Sequence, residues 1–218
     1  MLREDNIFYA KRNLVDSIWK EARIEGIGVT FPQTQEIVEG RSVAGLSIDD
    51  VMVINNLKHA WQYVFDTLDE PLTLDWLRGL NLKIGEGGVV RYAGDLRTSM
   101  VTMGGTSWIP PVPDAQELAA AIDALGQIDD ASDRALSALA LVSRAQMFND
   151  GNKRTAQLAA NKILIESGAG ILAIPEEHKL GFLERLVAFY ESNDPAELKA
   201  FLRETCLDCP NLSPESAS

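Results

Sequence analysis

Apolar positions recur at three- and four-residue spacing through most of the chain, so the pattern predicts helices. Residues 5–25 set Ile7, Leu14 and Ile18, with Phe8 beside them, on the stripe of one amphipathic helix that Gly26 and Gly28 stop. A short helix follows over residues 30–38, with Gly40 at its end. Ser47 begins a long one through residue 68, because S-x-x-D places a cap and then an acid in the first turn. Residues 73–84 form another, closed by G-E-G-G. Asp114 starts a further helix, and a strongly apolar one spans 134–147. Helices at 152–167, 176–192 and 195–206 complete the series.

The texture changes only at residues 89–109, V-V-R-Y-A-G-D-L-R-T-S-M-V-T-M-G-G-T-S-W-I. β-Branched residues, aromatics and glycines predict a loop and a β-hairpin there, with 99–103 as one strand and Pro110, Pro111 and Pro113 ending it. The chain therefore reads as all-α with one small hairpin. No repeat and no low-complexity linker divides it, and 218 residues fit one domain.

Composition narrows the function classes. At 46% apolar residues the chain can bury a sizeable core, and a formal net charge of -12 argues against a nucleic-acid backbone or an anionic membrane as main partner. A DNA-binding regulator is disfavoured on the same ground, and no basic helix stripe is visible. No apolar run is long enough to span a bilayer, and the opening M-L-R-E-D-N carries charges where a secretory leader would be apolar. A cytoplasmic protein is the expectation. Cys206 and Cys209 make half a zinc site with no second pair of ligands, and read as two thiols beside a disordered tail at 207–218.

The candidate chemistry lies in Q-M-F-N-D-G-N-K-R-T, residues 146–155, between an apolar helix and an alanine-rich one. The first amides of a helix lack intrahelical partners and carry the positive end of its dipole, so the start of the second helix is an anion site before any side chain is counted. Gly151 lets backbone approach a phosphate, Asn152 can cap the helix or donate to a phosphate oxygen, and Arg154 can fork onto two oxygens. Asp150 beside a phosphate makes sense with a hard cation between them, and one carboxylate plus phosphates is a common magnesium arrangement. The same D-G-N also reads as a plain turn with a cap.

This stretch resembles the signature loop of the Fic (filamentation-induced-by-cAMP) family, H-x-F-x-[D/E]-G-N-[G/K]-R, at Phe148, Asp150, Gly151, Asn152, Lys153 and Arg154. S-M-V-T-M-G-G-T-S-W-I-P-P-V-P is similar to that family's target-clamping flap, with Val101, Thr102 and Met103 as its target-binding residues. A-R-I-E-G at 22–26 resembles its inhibitory helix end, which gives Glu25 a regulatory role. The resemblance implies a Fic-type helical core at 46–206 with a flap near 89–109, preceded by a helical segment at 1–45. It also implies Mg-ATP as ligand and AMP transfer to a hydroxyl of a target protein. Asp150 would hold magnesium, Gly151, Asn152 and Lys153 would form the anion hole, and Arg154 would contact the polyphosphate.

Three departures temper that reading. Gln146 stands where the family has the histidine that takes the hydroxyl's proton, and glutamine is no base near neutral pH. Losing a positioned base costs about 10²- to 10⁴-fold in rate. His59 and His178 lie elsewhere in the sequence, on polar helix faces. Lys153 is found in the Doc-like branch, whose toxin member transfers phosphate; here it could equally crowd the phosphate site, contact a phosphate or lie in solvent. Gln157 replaces a second arginine that would pair with the inhibitory glutamate, and Glu21 replaces the serine or threonine before it, so Glu25-Gly26 also reads as a plain helix end. The expected function is a low-activity adenylyltransferase. The alternatives are an inactive Fic-fold regulator or antitoxin-like subunit with a protein partner, and a Doc-like phosphotransferase.

Overall fold

A computed structural model describes residues 1–210, and within them ten α-helices and one two-stranded sheet. Helices α1 (Arg3–Arg12), α2 (Leu14–Ile24), α3 (Phe31–Val38), α4 (Ile48–Asp66) and α5 (Leu74–Ile84) precede a long irregular stretch. Helices α6 (Ala115–Ala124), α7 (Ala131–Ala145), α8 (Asn152–Glu166), α9 (Lys179–Ser192) and α10 (Ala196–Thr205) follow it. Side-chain caps fix most starts: Thr30 closes a capping box with Gln33, and Ser47, Thr73, Asp114 and Asp130 each accept a first-turn amide.

The centre is α8. Every residue of it from Arg154 to Ile165 is buried, and α1, α4, α5 and α7 all pack on it. Ala156, Ala159 and Ala160 admit these neighbours closely. Two of its buried polar residues are answered internally: Asn161 exchanges hydrogen bonds with Leu172 in both directions, and Lys162 Nζ reaches Glu166 Oε2 at 2.5 Å. Asn6 of α1 donates to the carbonyls of Leu164 and Gly170 at 3.0 Å, so the first helix stoppers the far end of α8.

Three expectations change. The helix expected over 5–25 is two helices, broken at Asn13, whose side chain bonds back to the Tyr9 carbonyl. The break rotates the second half, so α1 buries Asn6 and Ala10 while α2 buries Ile18 and Ala22, and Phe8 stays 69% exposed. The hairpin expected within 89–109 has no ladder. Some of its backbone groups pair elsewhere, the Gly94 amide with Asn81, the Ser99 carbonyl with Arg97 and the Ser107 amide with Glu191, and its β-pairing is an isolated bridge between Leu96 and Phe148. The sheet that does form joins β1 (Ile171–Leu172) to β2 (Leu207–Asp208), antiparallel. Leu207 and Asp208 thus belong to the fold rather than to a tail, while residues 211–218 of the expected disordered tail lie outside the described residues. Cys206 is buried, Cys209 is exposed, and both are free thiols.

Candidate functional site

The loop between α7 and α8 is held by two asparagines. The chain leaves α7 through Gln146 in the left-handed region (φ 42, ψ 47) and enters α8 through Gly151 (φ 79). Asn152 accepts from the Phe148 amide at 3.0 Å, donates to the Phe148 carbonyl at 2.9 Å, and donates to Gln146 Oε1 at 3.3 Å. Asn81 of α5 donates to the Asp150 carbonyl at 3.0 Å and accepts from the Gly94 amide at 2.9 Å. Met147 and Phe148 anchor the loop in the core. No side chain caps α8, so its first amides are left for whatever occupies the space before them.

That space is a cavity of about 460 Å³. Gln146, Asn149, Asp150, Gly151, Asn152 and Lys153 form its polar floor. Met103 and Gly104 of the 98–112 loop and Leu183, Leu186, Val187 and Tyr190 of α9 form an apolar wall, and Glu25 closes one side. The structure therefore gathers Glu25, Met103, Gln146, Asp150, Gly151, Asn152 and Lys153 around one volume. Arg154 does not line it. Arg154 is 4% exposed and sits behind Glu25, with Nε 3.6 Å from Glu25 Oε2 and a terminal nitrogen 3.5 Å from Asp150 Oδ1. Lys153 Nζ is 3.6 Å from Glu25 Oε1. Val101 and Thr102 do not line the cavity. His59 pairs with Glu86 at 3.0 Å and His178 meets the Phe201 ring edge-on, so neither reaches it.

Two buried groups modify the electrostatics. Glu21, one turn before Glu25 on α2, is 3% exposed, and neither of its carboxylate oxygens has a hydrogen-bond partner. Burial pushes its pKa up to about 8; the Trp61 indole N–H lies near enough to offset part of this without closing a hydrogen bond, Glu25 adds to the rise and Arg154 opposes it. Tyr190 is likewise pushed well above the usual phenol range by burial, so its hydroxyl is neutral; it lies 3.5 Å from Gln146 Nε2. Gln146 Nε2 also donates to the Ser143 carbonyl at 2.7 Å. Both ends of the Gln146 amide are thus engaged within the protein.

The arrangement can hold a polyanion by helix amides and one accessible cation, and can cover an apolar group against the α9 wall. Among the described residues no cluster of three acidic, histidine or cysteine ligands exists, so a metal would rest on Asp150 and on the ligand's own oxygens. Asp150 suits this: its side chain is 66% exposed at the cavity floor, and its contacts to the Gly151 amide and Arg154 both use Oδ1.

Residues 71–164 match the Fic/DOC family. That stretch runs from just before α5 to the last turn of α8, and so contains the loop and every polar floor residue. Over 93% of its length the chain is 23% identical to the protein adenylyltransferase fic-1 of Caenorhabditis briggsae, and it spans 42% of that relative. Its fold superposes on a Fic domain-containing signalling protein of Bacteroides thetaiotaomicron with a TM-score of 0.71, at 19% identity, over 94% of this chain and 85% of the other. Fic-1 of C. elegans gives 0.69 at 20% identity, over 89% of this chain and 60% of the other. The all-α Fic-type fold is therefore shown; no helix of the described residues is long and apolar enough to cross a membrane. Sequence reading missed Asn81, Tyr190 and the α9 wall of this site. An asparagine inside an amphipathic helix and a leucine pair far along the chain carry no local signal of a shared cavity.

Proposed function

We propose that the cavity binds Mg-ATP and that the chain is a slow protein adenylyltransferase. The uncapped start of α8, facing a cavity with one polar and one apolar side, carries the reading. The likeness to an adenylyltransferase supports it. The triphosphate lies along the floor, with the amides of Asn152 and Lys153 as donors and that of Gly151 joining them once it leaves Asp150 Oδ1, and the nucleoside lies against Met103, Leu183 and Leu186. Asp150 would hold magnesium together with the phosphates, and the ion would supply neutralisation of the phosphate oxygens. A target hydroxyl attacks the α-phosphorus and gives up its proton to solvent, the bond to the β-phosphate oxygen breaks, and pyrophosphate leaves with the negative charge. The α8 amides stabilise the charge that develops. Gln146 cannot take the hydroxyl's proton, and to orient the hydroxyl it must first give up Ser143 or Asn152. That sets the low rate. The protein hydroxyl comes from a partner chain, and the reading includes a cytoplasmic setting where ATP is abundant.

The engaged Gln146 amide also favours a second reading, a nucleotide-binding regulator without turnover, antitoxin-like in its dependence on a protein partner. Intact-mass analysis after incubation with Mg-ATP separates the two, run on the wild type and on Gln146→His. Transferase activity predicts a slow adenylyl gain on the wild type or a lysate protein, and a gain faster by about 10²-fold or more in the variant. A gain in the variant alone selects the regulator. A phosphoryl gain selects phosphate transfer and a role for Lys153. No gain in either, with no ATP binding, refutes the nucleotide assignment.

A further inference from the structure

Arg97 is among the most deeply buried side chains of the protein, at 1% exposure, and no carboxylate pairs with it among the described residues. Its guanidinium is satisfied by main-chain carbonyls alone. Nε donates to Gln146 at 2.6 Å and one terminal nitrogen to Ser99 at 2.6 Å. The other donates to Pro110 at 3.3 Å and also to Pro111. Its own amide donates to the Met147 carbonyl at 3.0 Å. One residue thus grips both carbonyls of the turn that leaves α7, and both ends of the loop that runs from residue 98 to 112. Desolvation lowers its pKa, the signature of a charge kept dry at a cost.

A buried charge is poor material for stability, since a well-packed apolar side chain commonly does as well. What it supplies is geometry: a planar fork whose donors reach several acceptors at once. The loop it holds has little other order at its base. Further along, the Glu191 carboxylate accepts from the Ser107 amide at 2.7 Å. Trp108 stacks on Tyr190 at 5.7 Å, with the Arg144 guanidinium 4.3 Å from its ring. Tyr190 and Gln146 both line the cavity, as do Met103 and Gly104 at the loop's tip.

We propose that Arg97 is a positioning residue that joins the 98–112 loop and the Gln146 turn into one body, so that the cavity's apolar cover and its polar floor keep a fixed spacing. The inference rests on the nucleotide reading only where ATP affinity is concerned; the mechanical claim stands without a ligand.

Fluorine NMR of the full chain labelled with 5-fluorotryptophan tests the mechanical claim. The chain has four tryptophans, and Trp108 alone lies on the loop. In Arg97→Lys a single nitrogen cannot reach Gln146, Ser99 and the two prolines together. The Trp108 resonance is expected to shift and broaden while those of Trp19, Trp61 and Trp76 hold. An unmoved Trp108 signal, or four signals moving together, overturns the proposal. Should the variant not fold, hydrogen exchange of the wild type under rising denaturant decides instead. The amides of Arg97, Ser107 and Trp108 must share one opening; separate openings refute the single body. The ligand arm compares ATP with tripolyphosphate. Arg97→Lys should weaken ATP about tenfold by loosening the Met103 cover and leave tripolyphosphate unchanged. Equal weakening of both ligands counts against the proposal, whereas wild type that binds neither condemns only the nucleotide reading.

Discussion

Replacing Glu21 with glutamine should stabilise the protein, and by an amount that depends on pH in a calculable way. The carboxyl titrates near 4.5 in an unfolded chain and near 8 in the fold, chiefly because burial between α2 and α4 disfavours its charged form. Between those values the folded state keeps a proton that the unfolded state has released. The contribution of Glu21 to stability is therefore complete below about pH 4.5 and is lost as pH rises towards 8. The slope is about 1.4 kcal/mol per pH unit, so at pH 7 the wild type has given up about 3 to 4 kcal/mol. Glutamine has the same shape and no charge to suppress. Urea unfolding followed by circular dichroism, for both proteins at several pH values, gives the difference in unfolding free energy. Other titrating groups cancel in that difference. It should be near zero at about pH 4.5 and favour the variant increasingly up to about pH 8. A difference that does not change with pH would falsify the account of Glu21 as a neutral, buried acid.

Two further outcomes follow from the site. Gly151→Ala places a side chain at φ 79, with its Cβ 3.0 Å from both Asn81 Nδ2 and Ile84 Cγ2, and should cost about 2–4 kcal/mol in urea unfolding; a loss under about 0.5 kcal/mol would show that the turn relaxes freely. Glu25→Ala frees Lys153 and Arg154 from their common carboxylate partner, and should raise affinity for inorganic pyrophosphate about tenfold by calorimetry, whereas unchanged affinity would mean that the two 3.6 Å contacts do not compete with an anion.

The helices were legible because their signals are local. Ser47, Asp114 and the apolar spacing of 152–166 each act within a turn or two of where they stand. Misreadings came where distant groups intervene. The β-branched run at 99–103 has strand propensity but no strand to pair with, and its neighbourhood is organised by Arg97 and Glu191, the latter from the other end of the chain. Nothing in the sequence marks Glu21 as buried, and its 3% exposure is set by tertiary neighbours, Trp61 of α4 and Arg154 of α8 among them. That the chain turns at 146–151 straight into a helix start was legible, since glycine, asparagine and helix start sit side by side in sequence. That Arg154 lies behind Glu25 rather than in the cavity was not, because the position of α2 relative to α8 is a tertiary fact.

The attachment of the first two helices bears on how Glu25 could ever leave the cavity. Asn6 stoppers α8, and Ala10, Ile18 and Ala22 are all at 1% exposure or less, so this pair of helices is masonry rather than a hinged door. Cutting the chain after residue 29 to unmask the cations would also strip the flank of the central helix, and the truncated protein would report on unfolding as much as on the site. Movement of Glu25 has to be small, a turn of one side chain about the end of α2, where Gly26 at φ 87 already breaks the helix. The gate, if it opens, is the width of a carboxylate.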